Sequence, residues 1–290
     1  MIANDNTAHT TPAPAKPDVE AWSGKDRGDE NFPVGSFLVA KHLREHVHAY
    51  YAFARNADDI GDSPTLTPGE KIERLDIMEE VLLGKREEGS ASALRLRASL
   101  AQTGIDPRHA TELLIAFRRD AEKNRYADWA ELLDYCRYSA APVGRYMLAL
   151  HGESEDTWPA SDALCASLQI LNHMQDCAKD LRDLDRCYIP QDWLAAEGLT
   201  TDDIARSETL PNLRAVFDQM LEATAELNAA ARALPGGIKT RWFRVETAAI
   251  VNLAHRLAAH LDAGDPLASR VKLSKFDFAA ALFSALRYAA

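Results

Sequence analysis

Two acidic clusters stand far apart in this chain, each spaced to stack carboxylates on one face of a helix. The first closes the stretch Tyr51-Ala-Phe-Ala-Arg55-Asn-Ala-Asp58-Asp59-Ile-Gly-Asp62. The second is Asp176 and Asp180, preceded on the same helical stripe by Gln169 and Asn172. Asp58 and Asp62 are four residues apart, as are Asp176 and Asp180, so one side chain lies above the other on a helix. Stacked like charges repel, and inside apolar sequence this predicts a cation held between them. Hard carboxylate and amide oxygens suit Mg²⁺, which is commonly bound by a few carboxylates plus substrate phosphates. Two facing pairs therefore read as a clamp on a diphosphate.

The neighbours of the clusters fit that chemistry. Arg55 can pair with Asp58 or Asp59, or turn its planar guanidinium to phosphate oxygens. Arg186 and Tyr188, just beyond the second cluster, add a cation and a phenol, and Arg270 is a further basic candidate. Phe32, Tyr51 and Tyr135 are read first as core aromatics. If a carbocation forms in a cavity, their ring faces can stabilise it. His173, beside Asn172, is read as a structural histidine.

Such residues need elements to carry them, and from about residue 36 the pattern is helical. Trp129, Leu132, Leu133, Cys136, Ala140, Val143, Met147 and Leu150 step by three and four, as do Leu164, Leu168, Leu171 and Gln175. Further periodic segments span about 68–84, 106–123, 210–233, 240–262 and 275–288. Breaks are expected at Ser63-Pro64, Gly104-Ile-Asp-Pro107, Trp158-Pro159, Pro235-Gly236-Gly237 and Gly264-Asp-Pro266. No strand set is legible, and no glycine-rich dinucleotide fingerprint follows one. The expectation is a single all-α domain over 28–290, a helical bundle around a central apolar cavity with a charged mouth.

The chain has 290 residues, 47% hydrophobic and 27% charged, as in ordinary soluble proteins. Its net charge of −11 argues against a nucleic-acid partner, whereas metals and arginines can still invert the field locally for an anionic substrate. Cys136, Cys165, Cys177 and Cys187 form no CxxC pair and read as buried thiols of a reducing compartment. Residues 1–27 are expected to form a disordered tail, their first part rich in Thr, Pro and Ala without a signal-peptide pattern. No run approaches the ~20 apolar residues of a membrane span, which suggests a cytoplasmic protein. The C-terminal stripe Phe276, Phe278, Leu282, Phe283 and Leu286 is expected to pack on the bundle, with peripheral contact at the inner membrane as its alternative. Oligomeric state is not legible.

At these residues the chain resembles the squalene and phytoene synthase family of head-to-head prenyl synthases, over roughly 28–285. The resemblance rests on Glu30-Asn31-Phe32-Pro33-Val34-Gly35-Ser36, on both acidic segments and on Tyr135-Cys-Arg-Tyr-Ser139-Ala-Ala-Pro142-Val-Gly144-Arg145. It continues through Gln169-Ile-Leu-Asn172-His-Met-Gln175-Asp176 and Arg186-Cys-Tyr188-Ile-Pro190. It implies an isoprenoid-synthase-type fold, with Asp58, Asp62, Asn172, Asp176 and Asp180 binding about three Mg²⁺ ions beside the diphosphate. It also implies that Asp59, Arg55 and Gln169 contact or line the diphosphate pocket, and that Phe32, Tyr51 and Tyr135 are pocket aromatics.

Within the family, the resemblance points to the branch of squalene and hopanoid biosynthesis that converts presqualene diphosphate and water to hydroxysqualene. Relatives often carry Arg-Asp where this chain has Gln175-Asp176, and Ser-Phe where it has Asn31-Phe32. Both departures point away from prenyl condensation and toward a specialised activity, expected to be that of a lyase; with no NADPH fingerprint in the sequence, no NADPH is expected. The alternatives are condensation of two farnesyl diphosphates to presqualene diphosphate or dehydrosqualene, and, in another class, a non-catalytic helical scaffold.

Overall fold

The computed structural model describes residues 18–20 and 39–289. Among them the chain folds into twelve α-helices, and an isolated parallel bridge between Arg125 and Cys187 stands in place of any strand. In order these are α1 (Arg44–Gly61), α2 (Pro68–Leu82), α3 (Ala91–Thr103), α4 (Arg108–Glu122), α5 (Trp129–Ser139) and α6 (Ala141–Leu150). They continue as α7 (Trp158–Leu184), α8 (Gln191–Ala196), α9 (Pro211–Ala231), α10 (Leu234–Gly237), α11 (Arg241–Ala263) and α12 (Lys275–Ala285). The expected all-α fold is the one that forms, and no helix of the described residues is long and apolar enough to cross a membrane.

Two cores meet at the middle of the molecule. On one side α1 buries Val47, Tyr50, Phe53, Ala57 and Ile60, a three-and-four stripe, against α2, α3 and α4. Fully burying side chains of this size contributes about 1.5–3 kcal/mol each before chain entropy is counted. On the other side α7, the longest helix, packs on α5, α9 and α11 through Leu164, Ile170, Leu171 and Met174. Helix α6 lies between them, giving Tyr146 and Leu150 to the first core and Leu148 to the second. Gly144 lets α6 approach α7 closely, since a Cβ there would stand 2.7 Å from Cys165 Sγ and nearer still to Ser161 Oγ.

Two elements differ from the sequence expectation. The periodic run from Trp129 to Leu150 is not one helix but two, broken at Ala140 (φ −127°, ψ −47°) just before Pro142 in the first turn of α6. Proline lacks the N–H that would continue the ladder, so it is accommodated at a helix start. Helix α3 was not among the expected segments, because its buried face is built from Ser92, Ala93, Leu96, Ser99 and Leu100, too small for a strong apolar period. Residues 18–20 fall within the expected tail, and here they are pinned: Val19 N–H donates to Gly89 O (2.9 Å), and the Glu20 carboxylate accepts from Ser92 N–H (2.9 Å) at the start of α3. The rest of 1–27 lies outside the described residues, as do Asn31, Phe32 and Pro33.

Candidate active site

Asp58 and Asp59 occupy the last turn of α1, and Asp62 caps it. A helix C-terminus carries a partial negative charge, so three carboxylates there oppose the dipole and need compensating cations. The fold supplies two arginines. Arg55 bridges Asp58 (3.0 Å) and Asp59 (2.7 Å) along the helix face. Arg186 comes from elsewhere in the chain: Nη1 donates to Asp62 Oδ1 at 2.6 Å, and Nη2 to Gly61 O at 2.8 Å. Lys71 of α2 donates to the same carbonyl at 2.8 Å.

Arg186 reaches that position because α7 stops sharply. Asp185 caps it in the left-handed region (φ 52°), a conformation that Asp tolerates better than most residues. The chain then turns back beneath α4, where Cys187 N–H bonds to Asn124 O (2.9 Å) and Gln191 N–H to Tyr126 O (3.0 Å). Arg186 and Tyr188 are both buried by this turn.

Between the clusters lies a carboxylate that the sequence reading did not single out. Asp120 of α4 is 6% exposed and accepts from Tyr135 OH (2.8 Å) and Tyr188 OH (3.3 Å). Its backbone carbonyl accepts from Arg186 Nη2 at 3.1 Å. Burial raises the Asp120 carboxyl from 3.8 to about 6, against the opposing pull of Arg186 and the Tyr135 hydrogen bond. Burial likewise pushes the phenols of Tyr135 and Tyr188 well up, so both stay protonated donors. Tyr126 packs against both rings (5.1 and 5.5 Å between centroids).

His173 completes the bridge to α7. Its ring stacks on Tyr188 at 3.5 Å, its Nε2 lies 3.0 Å from Gln169 Nε2, and its Nδ1 stands 3.9 Å from Asp180. A continuous path therefore joins the acidic clusters: Asp62, Arg186, Asp120, Tyr188, His173, Asp180. One turn before Asp180 on α7, Asp176 is gripped by two nitrogens of Arg270, at 2.9 and 3.0 Å. Next to it the buried Gln175 donates to Val271 O at 2.6 Å, fixing the segment that carries Arg270.

The apolar part of the site begins one turn away. A cavity of about 370 Å³, within the range of small-molecule sites, lies between α1, α6, α7 and α11. Its wall includes Tyr51 and Ala54 of α1, Leu164 and Leu168 of α7, and Phe243 and Ile250 of α11. Ala54 is four residues before Asp58, so on α1 the greasy lining gives way to acid within one 5.4 Å turn, whereas on α7 Leu168 is followed by Asn172 after one turn and by Asp176 after about two. Both helices run toward the polar end in the same sense.

By donor type the residues fit a hard divalent cation, since Asp58, Asp62, Asp176, Asp180 and Asn172 all offer oxygen. Among the described residues, however, no three His, Cys, Asp or Glu side chains are gathered closely enough to cage one. The repulsion that the spacing predicts is relieved here by arginine. Arg55 and Arg270 each hold a carboxylate that a cation would claim, and both guanidiniums would then be available to phosphate oxygens.

Of the residues singled out from sequence, Asp58, Asp59, Asp62 and Arg55 come together at the end of α1, and Gln169, Asp180, Arg186, Tyr188 and Tyr135 meet around His173 and Asp120. Asn172 lies on α7 between Gln169 and Asp176. Tyr51 lines the cavity, whereas Tyr135 is not among its lining residues and sits in the tyrosine cluster. Phe32 lies outside the described residues. His173 is buried, hydrogen-bonded to Gln169 and stacked on Tyr188, as expected of a structural histidine, and it stands between the two clusters. Asp120 was legible in principle: it falls seven residues after Leu113 and four after Ala116, an acid on an apolar stripe.

Comparison with known proteins follows the same outline. The sequence model of the squalene/phytoene synthase family matches residues 25–277. A hydroxysqualene synthase of Rhodopseudomonas palustris is 46% identical over 267 residues, 92% of this chain and 91% of that protein. One of Sinorhizobium fredii is 45% identical over 250 residues, covering 86% of this chain and 85% of its own length. Among solved structures, the squalene synthase HpnC of Alicyclobacillus acidocaldarius superposes with a TM-score of 0.71 at 30% identity, covering 80% of this chain and 88% of that one.

Proposed function

This chain belongs to the squalene/phytoene synthase family, and on that premise we propose that it is a hydroxysqualene synthase, a lyase that converts presqualene diphosphate and water to hydroxysqualene and diphosphate. The likeness to hydroxysqualene synthases over nine-tenths of the chain carries the reaction. The geometry supports this reading: α1 passes from apolar cavity wall to carboxylate within one turn, and α7 does so within about two.

In this reading the hydrocarbon lies along Tyr51, Leu164, Leu168 and Ile250, and the diphosphate sits at the acidic ends of α1 and α7. About three Mg²⁺ ions held by Asp58, Asp62, Asn172, Asp176 and Asp180 would neutralise the leaving diphosphate. Arg55 and Arg270 turn from their carboxylates to phosphate oxygens, favouring charge on the leaving group. Buried Arg186 keeps Asp62 and Asp120 fixed while this happens.

The carbon–oxygen bond then breaks and its electron pair leaves with the diphosphate. The remaining cyclopropylcarbinyl cation rearranges among apolar walls that admit little water, with the Tyr51 ring face stabilising it. One water adds its oxygen to the rearranged carbon, and its proton passes to the departing diphosphate. A thirty-carbon substrate fills more than the present cavity, so the flexible side chains of Met147, Leu168 and Ile250 are the ones that must move.

Separate incubations with presqualene diphosphate and with farnesyl diphosphate, each with Mg²⁺ and followed by product mass spectrometry, test the proposal. Hydroxysqualene is expected from presqualene diphosphate, and no thirty-carbon product from farnesyl diphosphate alone. Efficient condensation of farnesyl diphosphate, or no turnover of either, would contradict it.

A further inference from the structure

The C-terminal end of the molecule presents a surface that the reaction does not use. Helix α12 packs on α11 through Ala281, Leu282 and Ala285, so of the stripe expected to pack on the bundle Leu282 does so, whereas Phe276, Phe283 and Leu286 do not. Its other face is apolar and uncovered: Phe276 is 76% exposed and Phe283 79%, with Leu286 at 47% just beyond. Phe276 and Phe283 are seven residues apart, two turns or about 10 Å along one side of the helix. Scattered exposed apolar residues are ordinary, but two phenylalanines and a leucine on a single helical stripe are not.

The charge around this stripe is opposite to that of the protein. Residues 270–290 contain Arg270, Lys272, Lys275 and Arg287 against the single acid Asp277, in a chain whose net charge is −11. Asp277 faces inward, where it accepts from Ser274 and pairs with Arg256 and His260. Among the described residues Lys272, Lys275 and Arg287 have no acidic partner.

Beside the stripe opens a recess of about 410 Å³, bordered by Arg232, His255, Arg287 and Tyr288 with no acidic side chain in its lining. Arg232 Nε donates to His255 Nε2 at 3.2 Å, which orients both groups at its edge. Arg287, in the short 3-10 turn that follows α12, borders the recess next to Leu286 of the apolar patch.

We propose that this face is a membrane-docking surface, in which Phe276, Phe283 and Leu286 enter the interface of an anionic bilayer and the Arg232–Arg287 recess receives a lipid headgroup phosphate. An amphipathic helix with aromatics on one side and cations at its rim binds in this way, through apolar burial joined to attraction for anionic lipid. A second copy of the chain is the poorer occupant. Two-fold pairing of α12 would bring basic rims together, which costs free energy instead of gaining it.

Flotation of the full-length protein with vesicles of phosphatidylcholine alone, and of phosphatidylcholine with an equal part of phosphatidylglycerol, tests this. The protein is expected to float with the anionic vesicles, less so at high salt, and to stay behind with the neutral ones. Phe276→Ser with Phe283→Ser should lower the bound fraction at least about tenfold while melting like the parent, because both side chains are exposed. Arg232→Glu with Arg287→Glu should erase the preference for anionic lipid. The proposal is overturned if anionic vesicles do not carry the protein, or if either double variant floats as the parent does. It is equally overturned if the phenylalanine variant merely abolishes a dimer seen by sedimentation, or if inorganic phosphate binds and vesicles do not.

Discussion

Replacing Arg186 by Met removes a cation that three acceptors share, and the cost follows from what is left behind. Asp62, 25% exposed, loses a 2.6 Å ion pair, and the carbonyls of Gly61 and Asp120 lose donors at 2.8 and 3.1 Å. Asp120, almost wholly buried, loses the positive charge that opposes its desolvation. Removing one partner of a buried pair costs about 3–5 kcal/mol, because the other charge remains without compensation. For a domain of this size that is a fall in melting temperature of about 6–12 °C.

The pH dependence separates this account from simple loss of packing. In the parent, burial raises Asp120 from 3.8 to about 6, so its contribution to stability is fully present below 3.8 and is lost as pH rises through about 6. Without Arg186 the folded-state value rises further, and the penalty at neutral pH grows. The gap between variant and parent should therefore narrow as pH falls from 8 to 5, where Asp120 becomes neutral in the variant. Thermal melts of both proteins across that range, followed by circular dichroism, give the answer. A deficit under about 2 °C, or one that is the same at pH 5 and pH 8, would refute the reasoning.

Other outcomes follow from the same contacts. Arg270→Met breaks a partly exposed pair, so stability should change by no more than about 1 kcal/mol, while the KM for presqualene diphosphate rises; an unchanged KM would confine Arg270 to a structural role. Asp176→Asn should lower kcat by about 10²–10³ with the helical spectrum intact, and parent-like turnover at limiting Mg²⁺ would remove Asp176 from the metal set. Tyr51→Leu keeps the cavity apolar but loses the ring face, so slower ionisation or scattered products are expected, and an unchanged product profile would reduce Tyr51 to a wall residue.

The acidic clusters of the candidate site were legible because their logic is local. Asp58, Asp62, Asp176 and Asp180 announce themselves by four-residue spacing, which a helix converts directly into proximity. The helical class was legible for the same reason, from periodic stripes that α2, α4, α9 and α11 reproduce to within a few residues. What was not legible depends on distant packing. Asp120 matters because α4, α5 and the turn after α7 converge on it, and no spacing in α4 records that Tyr135 and Arg186 arrive there. His173 looked ordinary for the same reason, its significance coming from a stack on Tyr188. Helix α3 hid behind small buried residues, and the break at Ala140 behind a hydrophobic period that continues on both sides of it.

The central claim is that this site ionises presqualene diphosphate and lets one water capture the cation. Turnover of presqualene diphosphate in ¹⁸O-labelled water, with mass analysis of the product, tests it most directly. Hydroxysqualene carrying one ¹⁸O is the predicted result, since its hydroxyl would come from solvent. Hydroxysqualene without the label, or hydrocarbon products alone, would contradict the account.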